Sequence, residues 1–173
     1  MPRLGACRKT EPSPCCCFPG IENGQYTEME DVSVDEILDE LLPDLMDIYE
    51  HKQVRLIRKR EEQPFIIRCN HSLAQILVSN LVKNSLLHNR EGGELQVFTT
   101  PASLVIRNTG DAPLDGEKLF RRFYHGMDGK KDSTGLGLAI ARSIALSSSL
   151  KLTYEWQDGM HTFRLVKESK IYC

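Results

Sequence analysis

Asn80, Asn84 and His88 follow one another at four-residue steps. On an α-helix such steps drift by only about 40°, so the three side chains share one polar stripe. An amide oxygen in that stripe could hold a hard cation. Mg²⁺ takes oxygen ligands and keeps several waters, so one protein oxygen plus phosphates suffices. The plainer reading is the solvated edge of an amphipathic helix. A second group is NTGDAP, Asn108 to Pro113. A polar side chain at a strand end can read a base, and Gly110 lets the backbone approach a flat ligand. The same residue types also make ordinary turns. A third is LFRRFY, Leu119 to Tyr124. It could pin the base of a lid formed by residues 126–134 that folds over phosphates, or simply anchor a loop by two aromatics. A fourth is TGLGL, Thr134 to Leu138, opening a helix. Glycines there bare backbone N–H groups, and the positive end of the helix dipole favours phosphate. It is neither a Walker loop nor a dinucleotide fingerprint, because no Gly-Lys-Ser/Thr follows and no strand directly precedes it.

The elements that must position these groups are legible from periodicity. Ser33 and Glu36 form a capping box. Ile37, Leu38, Leu41, Leu42, Leu45 and Ile48 continue at helical spacing, with Pro43 expected to kink the helix rather than end it. Val54 to Ile57 and Phe65 to Ile67, with Gln63-Pro64 in the turn, read as a strand pair. Residues 71–88 form the clearest helix, with Leu73, Leu77 and Leu81 as its apolar stripe. Leu95, Val97 and Thr99 alternate, Leu104 to Ile106 is a buried-looking strand, and residues 109–133 lack clear period. Helix returns from Leu136 to Leu146. Two last strands, Leu150 to Trp156 and Thr162 to Val166, flank Asp158-Gly159, a hairpin signal. Paired strands joined by tight turns predict a two-layer α/β sandwich, a mixed and mostly antiparallel sheet covered on one face by three helices, not a doubly wound parallel sheet.

Composition narrows the function classes. The chain has 173 residues, 40% hydrophobic and 27% charged, with a net charge of −2. That suits one globular domain plus tails and gives no electrostatic footprint for nucleic acid or anionic membrane. No apolar run reaches the ~20 residues that span a bilayer, and no signal peptide is evident, so the default compartment is cytoplasmic. Of six cysteines, three are adjacent (Cys15, Cys16, Cys17) and none forms a CxxC pair, which argues against structural zinc. The Pro- and Cys-rich residues 1–28 read as a disordered or non-native leader, 29–168 as the globular part, and 169–173 as a tail.

Each motif is modest alone; their order is specific. NLVKNSLLHN, NTGDAP, LFRRFY and STGLGLAIARSI resemble the N box, first glycine box, F box and second glycine box of the ATP-binding catalytic domain of bacterial sensor histidine kinases. The resemblance covers roughly residues 29–168, and the F box favours kinases over related topoisomerase, mismatch-repair and heat-shock ATPases. It implies ATP and Mg²⁺ as cofactors. Asn84 would coordinate the metal, and Asn80 takes the N-box position that activates transfer. His88 stands where a ring packs against adenine, Asn108 where an aspartate reads it, and Gly110 matches the first glycine. Thr162 resembles the threonine that completes the adenine pocket. Gly135, Leu136, Gly137 and Leu138 would cradle phosphates, and Arg122 could approach the triphosphate. The sequence departs at Asn108 and Ala112, where the family has Asp and Gly, and at His125, where arginine is frequent.

The implied partners are a histidine-bearing dimerisation hairpin and a response regulator. None of the five histidines has the context of a phosphorylated one, so the chain is expected to be unable to phosphorylate itself, and without the dimerising hairpin it is expected to be monomeric. Two other readings compete: a degenerate nucleotide-binding or interaction module without kinase activity, and an anti-sigma-type serine kinase, against which the F box argues. A structural domain with coincidental boxes is the weakest.

Overall fold

A computed structural model describes residues 28–116, 118–121 and 135–168. The leader up to residue 27, the tail 169–173, Arg122, His125 and the expected lid 126–134 lie outside the described residues. The elements are β1 (Glu30–Ser33), α1 (Val34–Ile48), a 3₁₀ turn (Glu50–Lys52), β2 (Arg55–Arg60), β3 (Ile66–Cys69), α2 (His71–Leu87), β4 (Glu94–Thr100), β5 (Ser103–Thr109), α3 (Gly137–Ser147), β6 (Leu150–Gln157) and β7 (Met160–Lys167).

Local chemistry starts each helix. Ser33 Oγ accepts from Glu36 N at 3.3 Å, and Asn70 Oδ1 accepts from Leu73 N at 3.3 Å, so both α1 and α2 begin on a side-chain cap. The α1 helix runs through Pro43, which is exposed, while Ile37, Leu38, Leu42 and Leu45 are buried. Five strands form one sheet in the order β2-β4-β5-β7-β6. The β2–β4 pair is parallel and the others are antiparallel. Burial alternates along β4 and β5, and Leu95, Val97, Leu104, Ile106, Phe163 and Leu165 face the helices. The expected mixed, mostly antiparallel sheet with three helices is therefore what the chain forms.

The expected pairing of the second and third strands is corrected. β2 pairs with β4 through a crossover that includes α2, and β3 pairs with β1 in a separate two-stranded ribbon. The start of α1 claims the segment after Pro64: Val34 N donates to Phe65 O at 3.0 Å, and Phe65 N donates to Asp35 Oδ2 at 2.9 Å. A crossover of this length brings β2 alongside β4 in the same direction.

Asp35 is a buried node. Its Oδ1 also accepts from Arg58 Nη2 and Thr99 Oγ1, each at 2.5 Å, so it joins α1 to β2, β4 and the approach to β3. Burial alone would raise this carboxyl. The hydrogen bonds from Thr99, the Phe65 amide and Arg58, with the charge of Arg58, outweigh it and hold the group below the usual carboxylate range. Arg60 pairs with Asp39 at 2.7 Å, and Arg55 pairs with Glu94. The basic run of β2 is thus largely taken up in ion pairs on an edge strand, where charge also discourages pairing with another sheet. Cys69 is a buried free thiol whose Sγ accepts from Ser148 Oγ at 3.1 Å. No helix among the described residues is long and apolar enough to cross a membrane.

The C-terminal end of α2 is closed by a residue the sequence did not single out. Lys52 Nζ donates to Leu86 O at 3.0 Å, to Leu87 O and to Asn89 O at 3.2 Å, while Lys52 O accepts from Gly92 N at 2.9 Å. A cation there satisfies terminal carbonyls and complements the dipole. Lys52→Met should cost about 1–3 kcal/mol, read as a lower urea midpoint with unchanged slope.

Candidate functional site

The polar stripe lies where the helical period puts it. Asn80, Asn84 and His88 are all half-buried, at the border between the buried leucine face of α2 and its exposed side. Asn80 meets the start of α3: a Cβ built on Gly137 would stand 3.1 Å from Asn80 Oδ1. Among the described residues the Asn84 amide has no hydrogen-bond partner, so its oxygen is uncommitted. His88 caps α2, its N–H bonded to Asn84 O at 3.0 Å.

α3 begins open. Gly135 holds φ of +64°, a left-handed conformation that favours glycine, and delivers Leu136 as N-cap with no side-chain cap bond. Among the described residues, the first N–H groups of α3 therefore lack the side-chain acceptors that α1 and α2 have. Leu138 is buried in the core and seats this first turn. Before it, Leu119 is buried and Phe120 half-buried, with the Arg142 guanidinium 5.2 Å from the Phe120 ring centroid.

The end of β5 carries the deepest polar groups. Asn108 is 1% exposed. Its Nδ2 donates to Thr109 O at 3.2 Å, and a carbonyl can only accept, which fixes the amide orientation. Oδ1 is left buried without a partner among the described residues. Such an atom is costly unless something donates to it.

Strand register corrects one expected neighbour. Asn108 stands opposite His161, whereas Thr162 stands opposite Arg107, on the other face of the sheet. Side chains alternate faces along a strand, so Thr162 points away from the face that holds Asn108 and His161. His161 is buried, and its imidazole lies against Gly110, where any Cβ would run into the ring. The flat group that approaches Gly110 is thus the protein's own. Nδ1 of His161 is 2.9 Å from Tyr154 Oη, which accepts from Leu114 N at 2.9 Å. Burial lowers the imidazole below its ordinary value, against the opposing pull of Asp111. A histidine at this position signals nothing by periodicity; only the pairing register exposes it.

No three His, Cys, Asp or Glu side chains among the described residues converge as a metal cage. A metal carried in with phosphates needs only one hard protein donor, and the uncommitted Asn84 oxygen fits that.

Residues 70–168 match the family of histidine kinase-, DNA gyrase B- and HSP90-like ATPases. The chain belongs to this family. Within it, the chain resembles the catalytic domain of sensor histidine kinases. It is 36% identical over 95 residues to the sensor histidine kinase RppB of Synechocystis sp., covering 50% of this chain. The chain spans 21% of the length of that relative. The fold is similar to the mycobacterial sensor histidine kinase MprB, with a TM-score of 0.69 at 21% identity over 80% of this chain and 97% of the other. It is also similar to histidine kinase ThkA in complex with the response regulator TrrA, with a TM-score of 0.67 at 15% identity over 87% of this chain and 46% of the other.

Proposed function

We propose that residues 29–168 form one catalytic domain that binds Mg²⁺·ATP and presents the γ-phosphoryl group to a histidine on a dimerisation hairpin, for onward transfer to a response regulator. The observation that carries this reading is the buried, unpartnered Asn108 Oδ1. It is an acceptor fixed in orientation at the end of β5, and it suits a base that brings an amino group. Asn84 would hold the metal, which supplies charge neutralisation on the phosphate oxygens. Asn80 keeps the start of α3 in register with the N box, and the uncapped N–H groups of α3 with Gly135 to Leu138 receive phosphate. Arg122 would approach the triphosphate from the F box, and His88 would flank the base. Phosphoryl transfer needs placement and charge compensation more than covalent help from the protein, and these groups supply both. The imidazole acceptor on the hairpin is the nucleophile. The ThkA–TrrA complex supports a response regulator as the next partner. The serine-kinase alternative lacks an observation in its favour.

Calorimetric titration with a non-hydrolysable ATP analogue and with its inosine counterpart tests the reading. The inosine base carries oxygen where adenine carries its amino group. The adenine nucleotide should bind at least about a hundredfold more tightly, because the inosine oxygen leaves Asn108 Oδ1 facing another acceptor. Equal binding of the two, or none by the folded chain, would remove this reading.

A further inference from the structure

We propose that His161 is a specificity-determining wall of the nucleobase pocket, and that the nucleotide binds only while its imidazole is neutral. The inference rests on the nucleotide-binding reading above and deepens it.

Register places one row of side chains across the helix-facing side of the sheet: Leu95, Asn108, His161 and Trp156. Two members of this row hold buried polar atoms without partners among the described residues, the acceptor Asn108 Oδ1 and the donor Trp156 Nε1. His161 lies between them, 5% exposed, with its ring on Gly110. A base that donates its amino group to Asn108 must therefore settle beside the imidazole. The ring is already held on its other side: the centroids of Tyr154 and His161 are 5.9 Å apart with planes at 29°, and Nδ1 meets Tyr154 Oη. A base covering it removes remaining water, which disfavours the imidazolium. Proton and nucleotide then compete for the same site.

The titratable groups set against His161 are Tyr154 on β6 and Asp111 on the loop leaving β5. Asn108, Trp156 and Phe163, at the neighbouring strand positions, carry none. Asp111 is exposed and its carboxylate favours the imidazolium. Its removal should make His161 harder to protonate without touching the pocket.

The test is calorimetric titration of the full chain with a non-hydrolysable ATP analogue between about pH 8 and about pH 5. Wild-type affinity should fall on acidification, approaching about tenfold per pH unit below the His161 titration. His161→Asn should bind with a flat profile, and the exposed-site variant His51→Gln should keep the fall. Asp111→Asn should move its midpoint to lower pH, an effect that a purely structural His161 would not produce. A fall that persists in His161→Asn, a flat wild-type profile, or an unmoved midpoint in Asp111→Asn would overturn the proposal. If His161→Asn does not fold, the surface variant Asp111→Asn decides alone. Binding at every pH without a slope would reject only the role of His161. Failure of the folded wild type to bind at about pH 8 would reject the nucleotide reading and this one with it.

Discussion

Asn84→Ala should abolish the Mg²⁺ enhancement of nucleotide binding and cut phosphotransfer to a separately supplied histidine hairpin by at least about a hundredfold. The Asn84 amide is half-buried and makes no hydrogen bond among the described residues, so its loss leaves no broken network behind. Circular-dichroism melts of the variant should therefore overlay the wild type, which separates a metal effect from a folding effect. The expected size follows from placement: without the amide oxygen the metal keeps only phosphates and water, and nothing fixes the triphosphate relative to α2. Titration with and without Mg²⁺, followed by transfer of labelled phosphate to the hairpin, measures both parts. An undiminished Mg²⁺ effect in Asn84→Ala would assign the metal to another group. Transfer absent from the wild type as well, with binding intact, would favour a module that holds nucleotide without using it.

The largest stability effect should come from Asp35. Asp35→Ala leaves the half-buried Arg58 without its carboxylate partner, the Thr99 hydroxyl without its acceptor while Thr99 Oγ1 still accepts from Arg58 Nη1 at 3.0 Å, and the Phe65 amide without its side-chain acceptor. Removing one member of a buried charge pair costs about 3–5 kcal/mol, a large part of what a domain this size has to lose. Urea unfolding at neutral pH reads it directly. The pH dependence has a definite sign. The folded carboxyl titrates below its unfolded value, so its contribution is complete above about pH 4 and is lost as pH falls through the folded value. Wild type and Asp35→Ala should therefore converge in stability in strong acid and diverge above it. Parallel curves across that range would show that the carboxylate adds nothing through its charge.

What the sequence made legible was whatever depends on local period. The α2 stripe, the alternation of β4 and β5, and the hairpin at Asp158-Gly159 with both residues at positive φ follow from spacing of three to four, spacing of two, and turn chemistry. What escaped depends on choices among distant partners. β1 is four residues long and its first two residues are exposed, too short to announce itself. β2 and β3 look like a hairpin because they are neighbours across Gln63-Pro64, yet Asp35, thirty residues away, takes Phe65 for α1. The site shows the same division. The Asn80–Asn84 stripe follows from helical spacing, whereas Thr162 was placed by its likeness to a family threonine. A displacement of one residue on a strand turns a side chain to the opposite face, so likeness without register selected the wrong neighbour of Asn108.

The small β1–β3 ribbon joins the entry of the chain to the machinery downstream. β3 leads directly into α2, and Glu30 at the start of β1 is registered on Cys69 at the end of β3. Just before it, Glu28 O accepts from Asn70 Nδ2 at 3.3 Å, while Asn70 Oδ1 caps α2. Tension drawn along the polypeptide at residue 28 thus arrives first at the N-cap of the helix bearing Asn80 and Asn84. Asn80 and Asn84 lie about three and four turns further along that same helix.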